Sequence, residues 1–164
     1  MKEEEIYHNP TQGKMGLEKV ISAISSFISQ GPNDKYELVV GTDSNGTQKT
    51  DFITAIIAYR VGKGGRFFWK KTNGHKTYHT LRDRIYEEVT ISLKTAEKVI
   101  QAMEKELKLK SFPQYDLQIH IDVGHNGDTR DMIKEVVGMV RGNGFTAKIK
   151  PESYAASNVA DRYV

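Results

Sequence analysis

Two aspartates close two apolar runs. Asp43 follows Leu38-Val39-Val40-Gly41-Thr42, and Asp122 follows Leu117-Gln118-Ile119-His120-Ile121. Taken singly, each is an ordinary residue for the turn after a strand, where a carboxylate accepts from nearby backbone N–H groups. Taken together they describe a site. If the two runs are neighbouring parallel strands, their ends share one sheet edge, about 4.8 Å apart. Two carboxylates at matching heights can then share one cation. Open α/β sheets hold their ligands at such strand ends. Oxygen donors in a chain without cysteine suit Mg²⁺ or Mn²⁺ rather than zinc.

A third acid comes from the long periodic segment that begins near Leu81. Its apolar residues Ile85, Val89, Ala96, Val99, Met103 and Leu107 fall in one sector at helical spacing. Glu88 lies about 60° from the Ile85 direction and can look across the sheet edge, while Glu87, about 160° away, points to water. An ordinary helix glutamate is the competing assignment for Glu88. Asp161 stands one turn from Asn158 near the C-terminal end, and a surface aspartate paired with Arg162 or a lysine is equally compatible with that spacing. His125 follows Asp122 closely enough to reach a phosphate or pass a proton; a loop histidine bonded to backbone is the alternative. His75 and His79 precede the helix and read as loop or phosphate-contact residues.

A basic and aromatic segment lies between the two aspartates. Lys63, Arg66, Lys70, Lys71, Lys76, Arg82 and Arg84 are interleaved with Phe67, Phe68, Trp69, Tyr78 and Tyr86. Cations neutralise phosphates and aromatic rings stack on bases, so Lys70, Lys71, Lys76 and Arg82 are candidates for a nucleic-acid face. A hairpin with its rings in the core and its lysines solvated has the same composition.

The elements that must position these residues follow from periodicity and punctuation. Residues 1–13 read as irregular. Leu17, Val20, Ile21, Ile24, Phe27 and Ile28 predict a helix over about 14–29, stopped by Gly31-Pro32. Residues 38–43, 52–61 and 66–71 predict three strands, the last two joined at Gly62-Lys63-Gly64-Gly65. The long helix over about 81–108 precedes a fourth strand, 117–123. A short helix over 129–141 follows, with Asp128 as its N-cap. A strand over 145–150 and a terminal helix from Ser153 complete the order. Short links make the first three strands an antiparallel meander, and helical crossovers make the later two parallel to the first. The prediction is one α/β domain over residues 14–164.

The order of elements and acids resembles the ribonuclease H-like nucleases. More narrowly, GTDSN, RIYEEVTISL, HIDVGHNGDTRDMI and SNVADRYV resemble the YkuK-type ribonuclease H-like family over about residues 15–164. The resemblance implies a mixed five-stranded sheet of order 3-2-1-4-5 flanked by helices, here with an extra N-terminal helix. It also implies that Asp43, Glu88, Asp122 and Asp161 converge as metal ligands and, with His125, as catalytic residues. In such a site Asp43 would bridge two ions of Mg²⁺ or Mn²⁺, Asp122 and Glu88 would serve one and Asp161 the other. The chain departs from the pattern in its N-terminal helix, in Ser44-Asn45 after the first acid, and in the few residues left after Asp161.

The whole sequence narrows the classes further. It has no cysteine, so disulfide frameworks and thiolate metal sites are excluded. No apolar run approaches the roughly 20 residues that span a bilayer, and Met1–Pro10 lacks the apolar stretch of a secretory signal. A soluble cytoplasmic protein with no membrane partner is the expectation. The formal net charge of +3 is compatible with a polyanionic partner without requiring one. The leading function is metal-dependent phosphodiester hydrolysis on RNA, DNA or a hybrid. The alternative is a non-catalytic nucleic-acid-binding or regulatory module on the same fold.

Overall fold

A computed structural model describes residues 5–45, 50–73, 77–107 and 115–155 of the 164-residue chain. The elements run β1 (Tyr7–Asn9), β2 (Gly13–Met15), α1 (Leu17–Ser29), β3 (Tyr36–Asn45), β4 (Asp51–Arg60), β5 (Gly64–Thr72), α2 (Leu81–Leu107), β6 (Tyr115–His120), a 3₁₀ turn (Arg130–Met132), α3 (Ile133–Gly142) and β7 (Thr146–Lys148). The terminal helix expected from Ser153 falls largely outside the described residues.

The sheet has seven strands in the order β2-β1-β5-β4-β3-β6-β7, not five in the order 3-2-1-4-5. The expected strands form its β5-β4-β3-β6-β7 run, and the difference is the β1–β2 hairpin added beyond β5. That hairpin occupies part of the segment read as irregular. Three-residue strands are too short to show a period of two. Tertiary contacts define them instead: Tyr7 is fully buried, His8 pairs with Trp69 across the strands, and the two rings stack at 4.3 Å. Glu5, just ahead of β1, ties the hairpin down by pairing with Lys70 at 3.0 Å and Lys98 at 3.1 Å.

Alternation across the sheet sorts its residues into two layers. Leu38, Val40, Ile56, Ala58, Phe68, Leu117 and Ile119 share one face and one apolar core with α1, α2 and α3. Val20, Ile24 and Ile28 of α1 and Val89, Ala96, Val99 and Met103 of α2 are buried in that core. The opposite face carries Val39, Ala55, Phe67, Trp69, Gln118 and His120. The strands pair antiparallel through β5-β4-β3 and parallel through β3-β6-β7, so β3, β6 and β7 present their C-terminal ends at one edge. One residue short of that edge, Thr42 Oγ1 lies 2.8 Å from Ser92 Oγ of α2 and 3.1 Å from Thr54 Oγ1 of β4. These buried hydroxyls satisfy one another and fix the height of α2 over β3.

Candidate active site

Parallel pairing of β3 with β6 sets Gly41 beside His120. Two residues further along each chain, the same register puts Asp43 opposite Asp122, both with the parity of the face that carries His120. Glu88 reaches this edge from the helix. It lies one turn before Ser92, whose hydroxyl is bonded to Thr42, so the Thr42–Ser92 contact sets Glu88 at the level of Asp43. Asp43, Glu88 and Asp122 line one pocket of about 330 Å³, together with Ser44, Arg84, Asn126, Asp128, Thr129 and Lys150.

The charges in this pocket do not sit comfortably. Glu88 is 5% exposed. Burial pushes its carboxyl up to about 9, repulsion from Asp43 and Asp122 adds to the rise, and Arg84 and a hydrogen bond with Ser44 oppose it. Its buried Oε2 has no hydrogen-bond partner. Asp122 is paired with Lys150, whose Nζ stands 2.9 Å from Oδ1. Asp43 Oδ1 accepts from the Ser44 backbone N–H at 3.0 Å. Four carboxylates line one pocket, those of Asp43, Glu88, Asp122 and Asp128, and Glu88 keeps a buried unbonded oxygen there; this set fits a hard divalent cation in donor chemistry. Their present spacing is looser than a finished site: among the described residues, no group of three or more Asp, Glu or His side chains is gathered as a cation cage.

The other residues singled out in the sequence distribute unevenly. Asp161, Lys76 and His75 lie outside the described residues. His125 is exposed and does not line the pocket, whereas Asn126 and Asp128, just beyond it, do. Asp128 does not cap the following helix; Thr129 holds the N-cap position of the 3₁₀ turn, and its Oγ1 accepts instead from Gly124 N at 3.1 Å. Lys70 is a correction. It alternates onto the helix-covered face of β5, is 7% exposed and pairs with Glu5, so its ammonium is not offered to solvent. Burial lowers its pKa and the Glu5 partner works against that shift. Lys71, on the other face, is half-exposed and 3.4 Å from Asp51. Arg82 is exposed and bonded to Glu135 at 2.6 Å, and Tyr86 donates to the same carboxylate.

Two contributors were missed in the sequence. Lys150 reads there as the end of an alternating strand, and only the pairing of β7 with β6 brings it to Asp122. His120 reads in the sequence as a strand residue. It borders Asp43 and Asp122 in a small cleft closed by Ser153, Tyr154 and Ala155. Its Nδ1 accepts from Tyr154 N at 3.1 Å, leaving Nε2 to donate to Gln118 Oε1 at 3.2 Å. Gln118 donates onward to Asp116 at 3.1 Å. Burial, with help from Lys148, holds the imidazole down to about 4, so it is neutral near pH 7.

A sheet with a central antiparallel meander, two parallel strands added beside β3 and acids at the shared strand ends defines an α/β protein of the ribonuclease H-like kind. The chain belongs to that family: the profile described as "Ribonuclease H-like" matches residues 19–164. It is also 30% identical over 165 residues to "Uncharacterized protein YkuK" of Bacillus subtilis (strain 168), with 96% of each chain covered. No solved structure gives a significant match. Among the described residues, no helix is long and apolar enough to cross a membrane.

Proposed function

We propose that this protein is a divalent-metal-dependent nuclease that hydrolyses phosphodiester bonds in RNA or DNA. One observation carries the proposal: Asp43, Glu88 and Asp122 line a single pocket, and Glu88 is buried there with an unbonded oxygen and a carboxyl raised by burial and by its two acidic neighbours. Clustered acids cost stability unless a cation neutralises them, so the arrangement is best explained by a ligand that it awaits. Asp43, Glu88 and Asp122 would hold Mg²⁺ or Mn²⁺, with Asp161 as a further ligand. A bound ion of this kind supplies an activated water and neutralises charge on the phosphate oxygens.

The chain's own groups do the rest. The β3 and β6 backbones fix Asp43 and Asp122 at one edge, and the Thr42–Ser92 contact sets Glu88 against them. Arg84 supplies positive charge on the pocket wall, where the acids alone would repel a polyanion. His125, one loop away and exposed, would meet the substrate outside the pocket. Lys71 and Arg82 are the exposed cations that would meet phosphate further out.

A non-catalytic nucleic-acid-binding role is favoured by one different observation, the Lys150–Asp122 ion pair, which neutralises one of the four pocket carboxylates internally. Incubation with labelled RNA, DNA and hybrid, with and without Mn²⁺, separates the two. Cleavage that needs Mn²⁺ and disappears in Asp43→Asn supports the nuclease; metal-independent binding without cleavage supports the binding module.

A further inference from the structure

Lys150 has no role in the nuclease mechanism proposed above, and its placement is specific. Its backbone N donates to Val123 O at 2.9 Å, just past Asp122. Its stem lies over Gly124, where an added Cβ would stand 3.2 Å from Lys150 Cβ and 3.5 Å from its Cδ. A side chain at 124 would press on the stem, so the glycine lets the lysine lie flat toward the carboxylates. The ammonium ends 2.9 Å from Asp122 Oδ1, yet the lysine side chain remains 55% exposed. It is therefore anchored at its base, paired at its tip and open to solvent over about half of its side chain.

We propose that Lys150 is a tethered counter-cation of the carboxylate pocket: it occupies Asp122 in the metal-free protein, yields that carboxylate to an arriving divalent cation, and then presents its ammonium to a substrate phosphate. This rests on the metal-site reading given above. The exchange is physically cheap. A half-exposed lysine–carboxylate pair contributes little free energy, because water solvates both partners well when they part. A divalent ion held by several carboxylates gains far more from the same oxygen. The tether limits where the freed ammonium can go. With its backbone fixed beside Val123, it stays at the rim of the pocket, where a phosphodiester must enter, and it can act there as a point charge. Lys150 is a positioning residue in the first state and a phosphate ligand in the second.

The test compares the wild-type protein with Lys150→Met, Lys150→Arg and Lys148→Met. Lys148 is a nearby cation that pairs with Glu152 at 3.6 Å and does not line the pocket, so it controls for a general change of charge. Mn²⁺ affinity is read by calorimetric titration. Lys150→Met is expected to bind Mn²⁺ about threefold to fivefold tighter than wild type, the scale of one exposed ion pair, with Lys148→Met within twofold of wild type and Lys150→Arg no tighter. The second readout is binding of a short single-stranded oligonucleotide carrying non-hydrolysable linkages. Lys150→Met is expected to weaken it and to lower its salt slope by about one, only when Mn²⁺ is present. Equal Mn²⁺ affinity in wild type and Lys150→Met, or an equal gain in Lys148→Met, overturns the proposal while the metal site stands. Weakened oligonucleotide binding with or without Mn²⁺ overturns the exchange. Absence of Mn²⁺ binding in every protein overturns the metal-site reading and this proposal with it.

Discussion

Glu88 is the residue whose environment says most. An acid raised to about 9 in the folded protein and near its ordinary value when unfolded makes the folded state the better proton binder between those limits. Its contribution to stability is therefore present in acid and is lost as pH rises from about 4.5 through 9. With chelator present, Glu88→Gln should melt several degrees above wild type at pH 8 and near it at pH 5, measured by parallel thermal melts. An equal offset at both values would mean that neither burial nor its acidic neighbours raise the Glu88 carboxyl. Asp43→Asn makes the complementary test. Removing one of the charges that repel Glu88 should leave the metal-free melting temperature unchanged or raise it, while stabilisation by added Mn²⁺, which arises from binding to the folded state, should shrink sharply. If Asp43 only accepts from the Ser44 N–H, the substitution should cost a little stability and leave the Mn²⁺ response intact. His120 runs the other way from Glu88. Its pKa, held near 4 when folded against about 6.5 unfolded, gives stability that is full above about pH 6.5 and is lost as pH falls toward 4. His120→Gln should flatten that acid limb, leaving the alkaline limb set by Glu88 in place.

At the scale of elements, the close approach of β4 and β5 is the clearest point of vulnerability. A Cβ on Gly65 would come 2.7 Å from the Ala58 carbonyl oxygen, a backbone atom that cannot turn away. Gly65→Ala should therefore destabilise the protein by about 1–3 kcal/mol, the range for forcing extra volume into packed structure, with denaturant melts as the measurement. Ser92→Ala is subtler. Thr42 keeps Thr54 as a partner, so the stability loss should be about 1 kcal/mol, that of one buried hydrogen bond. Because the lost contact sets the height of Glu88, Mn²⁺ affinity should fall as well. A loss of stability with unchanged Mn²⁺ binding would separate helix placement from the site.

For the whole molecule, the N-terminal hairpin is part of the main core. Tyr7 and Met15 are buried against residues of α1, α2 and β5 in a single cluster. Burial and the pull of Lys70 and Lys98 act in opposite directions on the Glu5 carboxyl, and the lysines win, lowering its pKa. Glu5→Gln leaves Lys70 buried without its anion, and an uncompensated buried charge is costly. Glu5→Gln should thus destabilise more than Lys98→Met, which removes only a half-exposed partner; urea midpoints of the two proteins decide it.

What the sequence determined by itself was periodic or punctuated. The stripe of α2, the alternation of β3 to β5 and the aspartates that end two apolar runs are local patterns, and local sterics and side-chain spacing suffice to read them. They led to the sheet's central run of strands and to Asp43, Glu88 and Asp122 as candidates for one edge, while the family came through the resemblance of the motifs GTDSN, RIYEEVTISL and HIDVGHNGDTRDMI. Tertiary structure decided the rest, because the deciding contacts join residues far apart in the chain. The hairpin at residues 7–15 is too short to carry a period, and its strands exist through Tyr7, His8 and Glu5 meeting β5 and α2. Lys70 and Lys71 are adjacent and chemically alike; the pleat sends one under the helices to Glu5 and the other to the far face. Lys150 is an ordinary strand-end lysine until β7 pairs with β6, which sets its ammonium on Asp122, twenty-eight residues before it, and so places a cation among the acids that no spacing along the sequence could reveal.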